Sequence, residues 1–561
     1  MNNTNGTYAR LEEPPRNGIK GLKHWRHDLL AGLVVSLVSL PLSSGIAIAS
    51  GAPPIYGIIS SIIAGLIFPL VGGSYLTISG PAAGLAPALL VTMTALGGAG
   101  TADTVGAGYA KLLVVIFTVG VIQLILAKLK VARFAAIFPA SVVEGMLGAI
   151  GLLIAVKALP LFMGYLEPVH AHGFIEYLGQ IPTWLAHGHG GAIAIGVVTL
   201  FVMLLSTYAL APRFRLFRVV PPHIFAVVIG IAMGMALGLG GSDPALLISV
   251  PANPLSGLQM PDFAGVWEST DLWGAVALGI VTLTLIDGVE SLATAQAIDR
   301  IDPFERHSEP NRLLAAMGLS NILSSLAGGL TIIPGGVKSK TCIEAGGRTL
   351  WANAANALFL LGFLFIAPGI MSVVPKAALG SILVYTGWKM INPTIVKHIA
   401  HIGREQFAIY ASTVVAILLT DLLVGVLIGT GLKFGLVAYT AWKAERPEEH
   451  EQGFMHIIKD LFRDPVSHVE EREGERVVHI ARPLVSFNAY LLQERISELM
   501  KLDSKVTFQI DPSVTLIDHT ACESLVGAVA HDRTERMCLK GLDRLRPRSD
   551  ESTAFRVRPS T

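Results

Sequence analysis

The chain has 561 residues, of which 52% are hydrophobic and only 15% are charged, and its formal net charge is +1. Soluble globular proteins carry about 25% charged residues, so this composition favours a protein that folds in a lipid bilayer. The near-zero net charge provides no basic field, so we expect no nucleic-acid partner. Three cysteines are too few for a disulfide framework. No motif predicts an enzyme, a cofactor or a metal site.

Residues 1–27 form a polar tail that lacks the pattern of a secretory signal. From 28 to 442, apolar stretches alternate with short turns. About fourteen of these stretches can be marked as membrane helices, some of them short or broken by Gly and Pro. Every second connection is basic, which predicts that both termini lie in the cytoplasm. The expected fold of this region is an all-α polytopic membrane domain.

Charge becomes dense after residue 442, and we predict a linker over 443–475 and a small α/β domain over 476–543. Within that domain the pattern predicts a strand, a helix, a strand and a helix at 477–480, 489–500, 506–510 and 519–530. The tail over 544–561 has the composition of a disordered segment.

Two of the predicted membrane segments are broken by Gly and Pro, and they occupy the third and tenth positions. Half-helices in transporters direct their positive N-terminal ends at anionic substrates. Small residues let an anion approach the backbone N–H groups. Ordinary helix packing through small residues is the alternative, but the paired positions favour an anion site. Its candidate residues are Ser79, Gly80, Ala82 and Ala83 in the third segment, and Gly335, Gly336 and Val337 in the tenth.

The eighth predicted helix carries acidic residues inside an apolar stretch. Asp287, Glu290 and Thr294 are spaced i, i+3 and i+7 and therefore share one helix face. A carboxylate there can bind a cation or carry a proton. A structural salt bridge to Lys338 or Lys340 is the alternative. Lys338 itself either adds positive charge to the anion site or simply lies on the cytoplasmic side under the positive-inside rule.

Several motifs together resemble the sulfate-permease (SulP) family of anion transporters, over roughly residues 25–440. They are Leu40-Pro41-Leu42, Gly51-Ala52-Pro53-Pro54-Ile55-Tyr56-Gly57, Ile78-Ser79-Gly80-Pro81, Asn311-x6-Gly318-x2-Asn321, and Ala345-Gly346-Gly347-Arg348-Thr349.

The resemblance implies two inverted seven-helix repeats arranged as a core and a gate, an elevator-like motion and a homodimer. It matches Glu290 to the family's acidic coupling position and Lys338 to a position often held by Arg near the anion. Val337 stands where many members have Ser. Gly335 and Gly336 lack the side-chain oxygens that help bind sodium in some bicarbonate carriers, so this resemblance favours proton coupling.

The C-terminal region resembles a STAS domain, the usual partner of this family. Ile510-Asp511-Pro512-Ser513 and Ile517-Asp518-His519-Thr520-Ala521 resemble a strand and its signature loop. His519 stands where some STAS domains have a phosphorylatable Ser, and little strand-like sequence follows Lys540. The domain is therefore predicted to be truncated.

The predicted protein is a secondary transporter of sulfate or bicarbonate, coupled to protons, with the anion near Ser44 of the first helix. A sodium-coupled bicarbonate symporter and an uncoupled exchanger or channel are alternatives, and a non-transporting membrane sensor is a distant one. The expected partners are the anion, a proton or sodium ion, membrane lipid and a second copy of the chain. The expected location is a bacterial inner membrane.

Overall fold

The computed structural model describes residues 14–81, 84–101, 104–131, 139–167, 174–214, 217, 220–248, 258–299, 301–304, 306–366, 372–391, 393–420, 422–444, 454–472, 475–499, 505–530 and 536–559. Helices dominate up to residue 462, and a mixed α/β region follows. The first helices are α1 Trp25–Ala49, α2 Pro54–Val71, α3 Ala86–Ala95, α4 Tyr109–Lys128, α5 Ala140–Lys157, α6 Leu159–Met163, α7 Phe174–His187, α8 Gly190–Leu205, α9 Pro222–Ala236, α10 Leu239–Ser242 and α11 Phe263–Glu268.

The remaining helices are α12 Trp273–Asp299, α13 Pro310–Leu326, α14 Gly336–Glu344, α15 Trp351–Ile366, α16 Lys376–Ile391, α17 Pro393–Ile402, α18 Arg404–Leu419, α19 Leu422–Ala444, α20 Phe454–Phe462, α21 Ser486–Leu499 and α22 His519–Ala530. The strands are β1 Ile78–Pro81, β2 Ile332–Gly335, β3 Val466–Arg472, β4 Glu475–Ile480, β5 Lys505–Ile510, β6 Leu516–Ile517, β7 Met537–Lys540, β8 Arg546–Pro547 and β9 Arg556–Val557.

Several of these helices are long and apolar enough to cross a bilayer. Within the described residues there are seven such spans and three shorter apolar helices. The seven are Gly18–Ala49, Pro54–Val71, Tyr109–Lys128, Ala140–Met163, Gly190–Leu210, Thr270–Asp299 and Val424–Ala444. The two segments predicted to be broken are each a short strand followed by a short helix, so neither is a full-length span.

The chain divides into two compact units. The first unit comprises Met1–Lys128, Gly191–Thr284 and Ser291–Ile382. Its helices pack closely through glycine. A Cβ at Gly120 of α4 would lie 2.7 Å from the carbonyl oxygen of Gly318 in α13, and the reverse distance is also 2.7 Å. Such close backbone contact is typical of membrane helices, whose association depends on small residues rather than on the hydrophobic effect.

The second unit comprises Leu129–Gly190, Leu285–Glu290 and Leu383–Thr561. Its membrane helices also meet at glycines, since a Cβ at Gly145 of α5 would lie 2.9 Å from the carbonyl oxygen of Tyr410 in α18. The unit ends in a C-terminal domain, residues 454–559. There β4, β5 and β7 are parallel neighbours, β3 pairs antiparallel to β4, and α21 and α22 connect the parallel strands.

The tail of the C-terminal domain differs from its prediction. Residues 544–561 were expected to be disordered, but β9 pairs antiparallel with β6, and Phe555 is fully buried. The predicted linker over 443–475 likewise contains α20 and β3. In both segments the described residues form regular structure with partners that are distant in the chain, and local composition carries no information about such partners.

A buried ion pair joins α19 to the C-terminal domain. The Lys433 Nζ atom lies 3.3 Å from Asp518 Oδ2, and neither side chain is exposed to solvent. Asp518 also accepts hydrogen bonds from the backbone N–H and the hydroxyl of Ser486 and from the N–H of Ala521. Burial alone would raise the pKa of Asp518, but Lys433 and these hydrogen bonds outweigh it and lower that pKa.

Apolar contacts surround this ion pair. The end of α19 packs on α20, on the start of α21 and on the tail, with Val437, Ala438, Ala441, Ile457, Leu461, Val485, Phe487, Leu516 and Phe555 forming one buried cluster. The Lys433 ammonium lies 5.7 Å from the centroid of the Phe555 ring. The last membrane helix is therefore part of the core of the C-terminal domain.

We expect Lys433→Met to destabilise the C-terminal domain by about 3–5 kcal/mol, because it leaves the Asp518 carboxylate buried without its cation. Buried Cys522 reports on this domain and buried Cys342 on the first unit. A buried thiol reacts with a maleimide only when the structure around it opens. In the variant, Cys522 should therefore react at a lower temperature than in the wild type, and the temperature at which Cys342 reacts should be unchanged.

The matched control is Arg495→Met, because the Arg495–Asp464 ion pair is 40% and 33% exposed. It should cost less than about 1 kcal/mol. Equal shifts of the Cys522 labelling temperature in the two variants would show that the buried pair contributes no more than a surface pair.

Candidate anion-binding site

The two broken segments lie side by side. Strands β1 and β2 form an antiparallel ladder in which Ile78 pairs with Gly335 and Pro81 pairs with Ile332. Helix α14 begins directly after β2, and α3 begins at Ala86. Ala82 and Ala83, which were predicted to line the site, lie outside the described residues. The structure therefore brings together two segments that are about 250 residues apart in the chain.

Polar side chains of neighbouring helices hold this ladder. The Asn353 side chain accepts from the N–H of Ser79 at 2.9 Å and donates to the carbonyl of Thr77 at 2.6 Å. Asn321 accepts from the N–H of Ile332 at 2.7 Å. The Ser339 hydroxyl accepts from the N–H of Ile78 at 2.9 Å. These contacts satisfy backbone groups that a broken helix leaves without partners.

Lys338 lies in the first turn of α14 and is only 2% exposed. Its ammonium donates to the Ser43 hydroxyl of α1 at 2.9 Å and to the Ser61 hydroxyl of α2 at 3.2 Å. The two hydroxyl oxygens lie 2.8 Å apart. Lys338 is therefore enclosed by neutral hydroxyl groups and is not a solvent-exposed lysine. Lys340 does lie on the surface, 3.8 Å from Glu344.

Gly80 of β1 leaves room for this group. A Cβ at Gly80 would lie 2.6 Å from both Lys338 Nζ and Ser61 Oγ. Real Cβ atoms essentially never come so close to other heavy atoms, so any larger residue would displace the ammonium or the hydroxyl. The glycine that sequence analysis selected for backbone access is also the one that accommodates the cation.

The other predicted residues lie on α1, β1, β2, α12 and α14. The Ser44 hydroxyl donates to the carbonyl of Leu40 in its own helix, so the α1 hydroxyl that contacts Lys338 is that of Ser43. Ser79 is fully buried, and Gly335 and Gly336 stand at the start of α14. A Cβ at Gly336 would lie 3.9 Å from the methyl carbon of Thr294, which places α12 beside this helix start.

Sequence analysis missed Ser43 and Ser61. Both are hydroxyl residues in apolar helices, and that was the available signal. Serine is common in membrane helices because it can bond to its own backbone, so the signal is weak. The hydroxyls of Ser44 and Ser60 bond to backbone carbonyls of their own helices. Ser43 and Ser61 differ from them only in that both contact Lys338.

The acidic residues of α12 are buried as well. Asp287 is fully buried and Glu290 is 7% exposed, and both belong to the second unit. Asp299, at the end of the same helix, accepts from the N–H and hydroxyl of Ser308. Buried carboxylates in a membrane helix are expensive and are usually functional.

The candidate site combines a buried lysine with the N-terminus of a helix. None of the hydrogen-bond or ion-pair partners of Lys338 in the described part of the chain is a carboxylate. The first N–H groups of α14 add the partial positive charge of a helix N-terminus. Within the same described residues, no group of three or more His, Cys, Asp or Glu side chains is arranged to hold a metal ion.

A polytopic helical bundle with paired helix breaks and a buried cation is the arrangement of a membrane transporter. Comparison with known proteins identifies its family. The sulfate permease family matches residues 25–413, and the chain belongs to that family. This confirms the predicted family, and it makes the protein an inorganic-anion transporter rather than an enzyme.

Named relatives fall into two groups. The chain is 26% identical to the bicarbonate transporter BicA of Picosynechococcus sp., over 72% of this chain and 68% of that protein. It is 25% identical to the putative sulfate transporter YvdB of Bacillus subtilis, over 87% of each chain.

Solved structures share the fold. The transmembrane domain of a cyanobacterial BicA matches with a TM-score of 0.62 and 22% identity, over 74% of this chain and 98% of that one. The structure of SLC26A9 matches with a TM-score of 0.62 and 15% identity, over 92% of this chain and 84% of that one. The predicted fold class, a polytopic helical domain followed by a small α/β domain, is confirmed.

We expect Gly80→Ala to fold but to bind anions poorly. The added methyl group meets only the ends of two side chains, so the ammonium and the Ser61 hydroxyl move rather than the backbone. A hydrogen bond to a charged group contributes about 1.5–3 kcal/mol, so KM for anion uptake into proteoliposomes should rise by about tenfold or more.

Gly362→Ala in α15 is the matched control, because no atom lies within 4 Å of its Cβ position. Its KM should equal that of the wild type. An unchanged KM in folded Gly80→Ala protein would show that the position of Lys338 does not matter for binding.

Proposed function

We propose that this protein is a secondary active transporter that moves sulfate or bicarbonate together with protons. The observation that carries the proposal is Lys338, a buried lysine next to a helix N-terminus whose contacts are two neutral hydroxyls. An anion supplies the opposite charge that such a group needs in a low-dielectric interior. The anion would lie near Gly80, Ser79 and the start of α14.

The relatives support both anions, since one is named as a bicarbonate transporter and another as a putative sulfate transporter. A sodium-coupled bicarbonate symporter and an uncoupled exchanger are therefore the second candidates. Gly335 and Gly336 offer no side-chain oxygen for a sodium ion, which favours protons.

Glu290 is the proposed coupling group, with Asp287 and Thr294 on the same face of α12. A buried carboxylate is stable when it is protonated or when it binds a cation, so it can carry either ion. The non-transporting sensor is disfavoured, because a scaffold has no need of a buried lysine at a helix break.

The family resemblance also supports proposals about the motion, oligomeric state and location of the protein. We infer an elevator-like movement, a homodimer, and insertion in a bacterial inner membrane with both termini in the cytoplasm. The C-terminal domain is proposed to be a truncated STAS-like domain. Nδ1 of its His519 donates to the carbonyl oxygen of Thr553 at 2.8 Å, so the tail contacts the predicted signature loop.

The proposed function is tested by uptake of radiolabelled sulfate and bicarbonate into proteoliposomes, with and without a proton or sodium gradient. We expect an inwardly directed proton gradient to drive accumulation of one anion. Accumulation driven only by sodium would select the second candidate. Absence of flux of both anions through folded protein would contradict the proposal.

We expect Glu290→Gln to lower the accumulation that a proton gradient drives, because the amide carries neither a proton nor a cation. Glu344→Gln is the control, since that carboxylate is exposed beside Lys340. Accumulation should be unchanged in the control. Equal accumulation in both variants and the wild type would remove Glu290 from the coupling mechanism.

A further inference from the structure

Lys338 is unusual because its charge is buried without a counter-ion among its bonded partners. Its ammonium contacts only the hydroxyls of Ser43 and Ser61, and all three side chains are buried. An unpaired ammonium in a protein interior costs several kcal/mol, and such a group loses its proton unless a compensating charge arrives.

Within the described part of the chain, no carboxylate lies within hydrogen-bond or ion-pair distance of the Lys338 ammonium. Helix α2 and strands β1 and β2 contain no Asp, Glu, Lys, Arg or His, and the only titratable side chain of α2 is Tyr56. On α1, the charged residues lie in the first turn around Asp28, about 22 Å along the helix from Ser43. Asp28 is itself bonded to Thr349. On α14, Lys340 faces Glu344 on the surface, and Cys342 is a buried thiol.

Neither Asp287 nor Glu290 of α12 is a hydrogen-bond or ion-pair partner of Lys338. Asp287 and Glu290 belong to the second unit, whereas Lys338, Ser43 and Ser61 belong to the first. Glu290 is therefore varied separately from Lys338.

Three polar atoms form a closed triangle at this point. Nζ of Lys338 lies 2.9 Å from Ser43 Oγ and 3.2 Å from Ser61 Oγ, and the two oxygens are 2.8 Å apart. A neutral amine completes a ring here: its N–H donates to one serine, that hydroxyl donates to the other, and the second hydroxyl donates to the amine lone pair. Every donor in the ring but one amine N–H is then satisfied.

Protonation opens this ring. An ammonium has no lone pair, so it donates to both serines, and one hydroxyl must turn its hydrogen elsewhere. One N–H of the cation and one O–H of the serine pair are then left to donate, beside the space that Gly80 provides. This is a pair of donors and a positive charge, which matches an oxyanion.

We propose that Lys338 is a neutral amine in the empty site and takes up one proton from solvent as the anion binds, so that proton and anion enter the site together. The inference rests on the proposed function of this site as the place where the anion binds. The balance is simple: amine, proton and anion combine into an ammonium–anion pair, and release of the anion frees the proton again.

Uptake of one proton with the anion predicts how the affinity of the protein for the anion depends on pH. Because binding consumes one proton, the dissociation constant should rise about tenfold per pH unit above the pH at which the empty site loses its proton. Below that pH it should be constant. Isothermal titration calorimetry in buffers of different ionisation enthalpy then measures the protons taken up per anion. The probe is sodium sulfate, or sodium bicarbonate if the uptake experiment selects it.

The decisive variant is Lys338→Arg, because a guanidinium stays protonated at all relevant pH values. We expect wild-type protein to take up about one proton per anion at alkaline pH, and Lys338→Arg to bind the anion with none and with no pH dependence. Lys340→Arg is the matched control, since Lys340 is exposed. It should behave as the wild type. Glu290→Gln should keep the proton that is linked to anion binding.

Three results would overturn the inference: no proton uptake in anion-binding wild type, uptake that persists in Lys338→Arg, or uptake that disappears in Glu290→Gln. If the larger guanidinium prevents anion binding, the Glu290→Gln measurement decides alone: retained uptake supports Lys338, and lost uptake assigns the proton to Glu290. None of these results would contradict the proposal that the anion binds at this site. A wild type that binds neither anion would contradict the proposed function itself.

Discussion

A bilayer offers no water to hydrogen-bond a broken helix, so every interrupted backbone group must find a partner inside the protein. In this structure the two interruptions become each other's partners. Strands β1 and β2 pair, and Asn353, Asn321 and Ser339 bond to the backbone groups at their edges. Short helices can then begin inside the bundle, which exposes their N-terminal N–H groups where a ligand can reach them.

The pairing of β1 with β2 determines which side chains meet at the site. Helix α14 starts where β2 ends, and its first turn carries Lys338 toward α1 and α2. The absence of a side chain at Gly80 leaves space for the ammonium. The serine pair holds the Lys338 amino group but supplies no counter-charge, because hydroxyls carry no net charge. A carboxylate in the same place would make a stable ion pair and would compete with the transported anion.

A buried ion pair and an apolar cluster join the C-terminal domain to helix α19 of its own unit. The Lys433–Asp518 ion pair is buried, and hydrogen bonds from Ser486 and Ala521 satisfy the carboxylate. The contrast with Lys338 is instructive. Both lysines are buried, but Lys433 has a fixed counter-ion and is structural, whereas Lys338 has only hydroxyl partners. The two buried lysines therefore differ in the charge of their partners, not in their burial.

Much of the architecture could be predicted from local pattern. Apolar length indicates membrane helices, Gly-Pro breaks indicate discontinuous segments, and the strands and helices over 477–530 follow from alternation and apolar periodicity. The break in the third segment also predicted Gly80 as a candidate, and the family resemblance predicted Lys338. These features are readable because each depends on residues that are neighbours in the chain.

What only the tertiary structure decided involves residues that are far apart in the chain. Ser43, rather than Ser44, reaches the ammonium, and Ser61 completes the triangle, because the rotation of α1 and α2 depends on packing and not on composition. The tail after residue 544 is ordered because β9 meets β6 and Phe555 packs against α19, although its own composition is that of a disordered segment. A sequence determines which side chains exist, and long-range packing determines which of them meet.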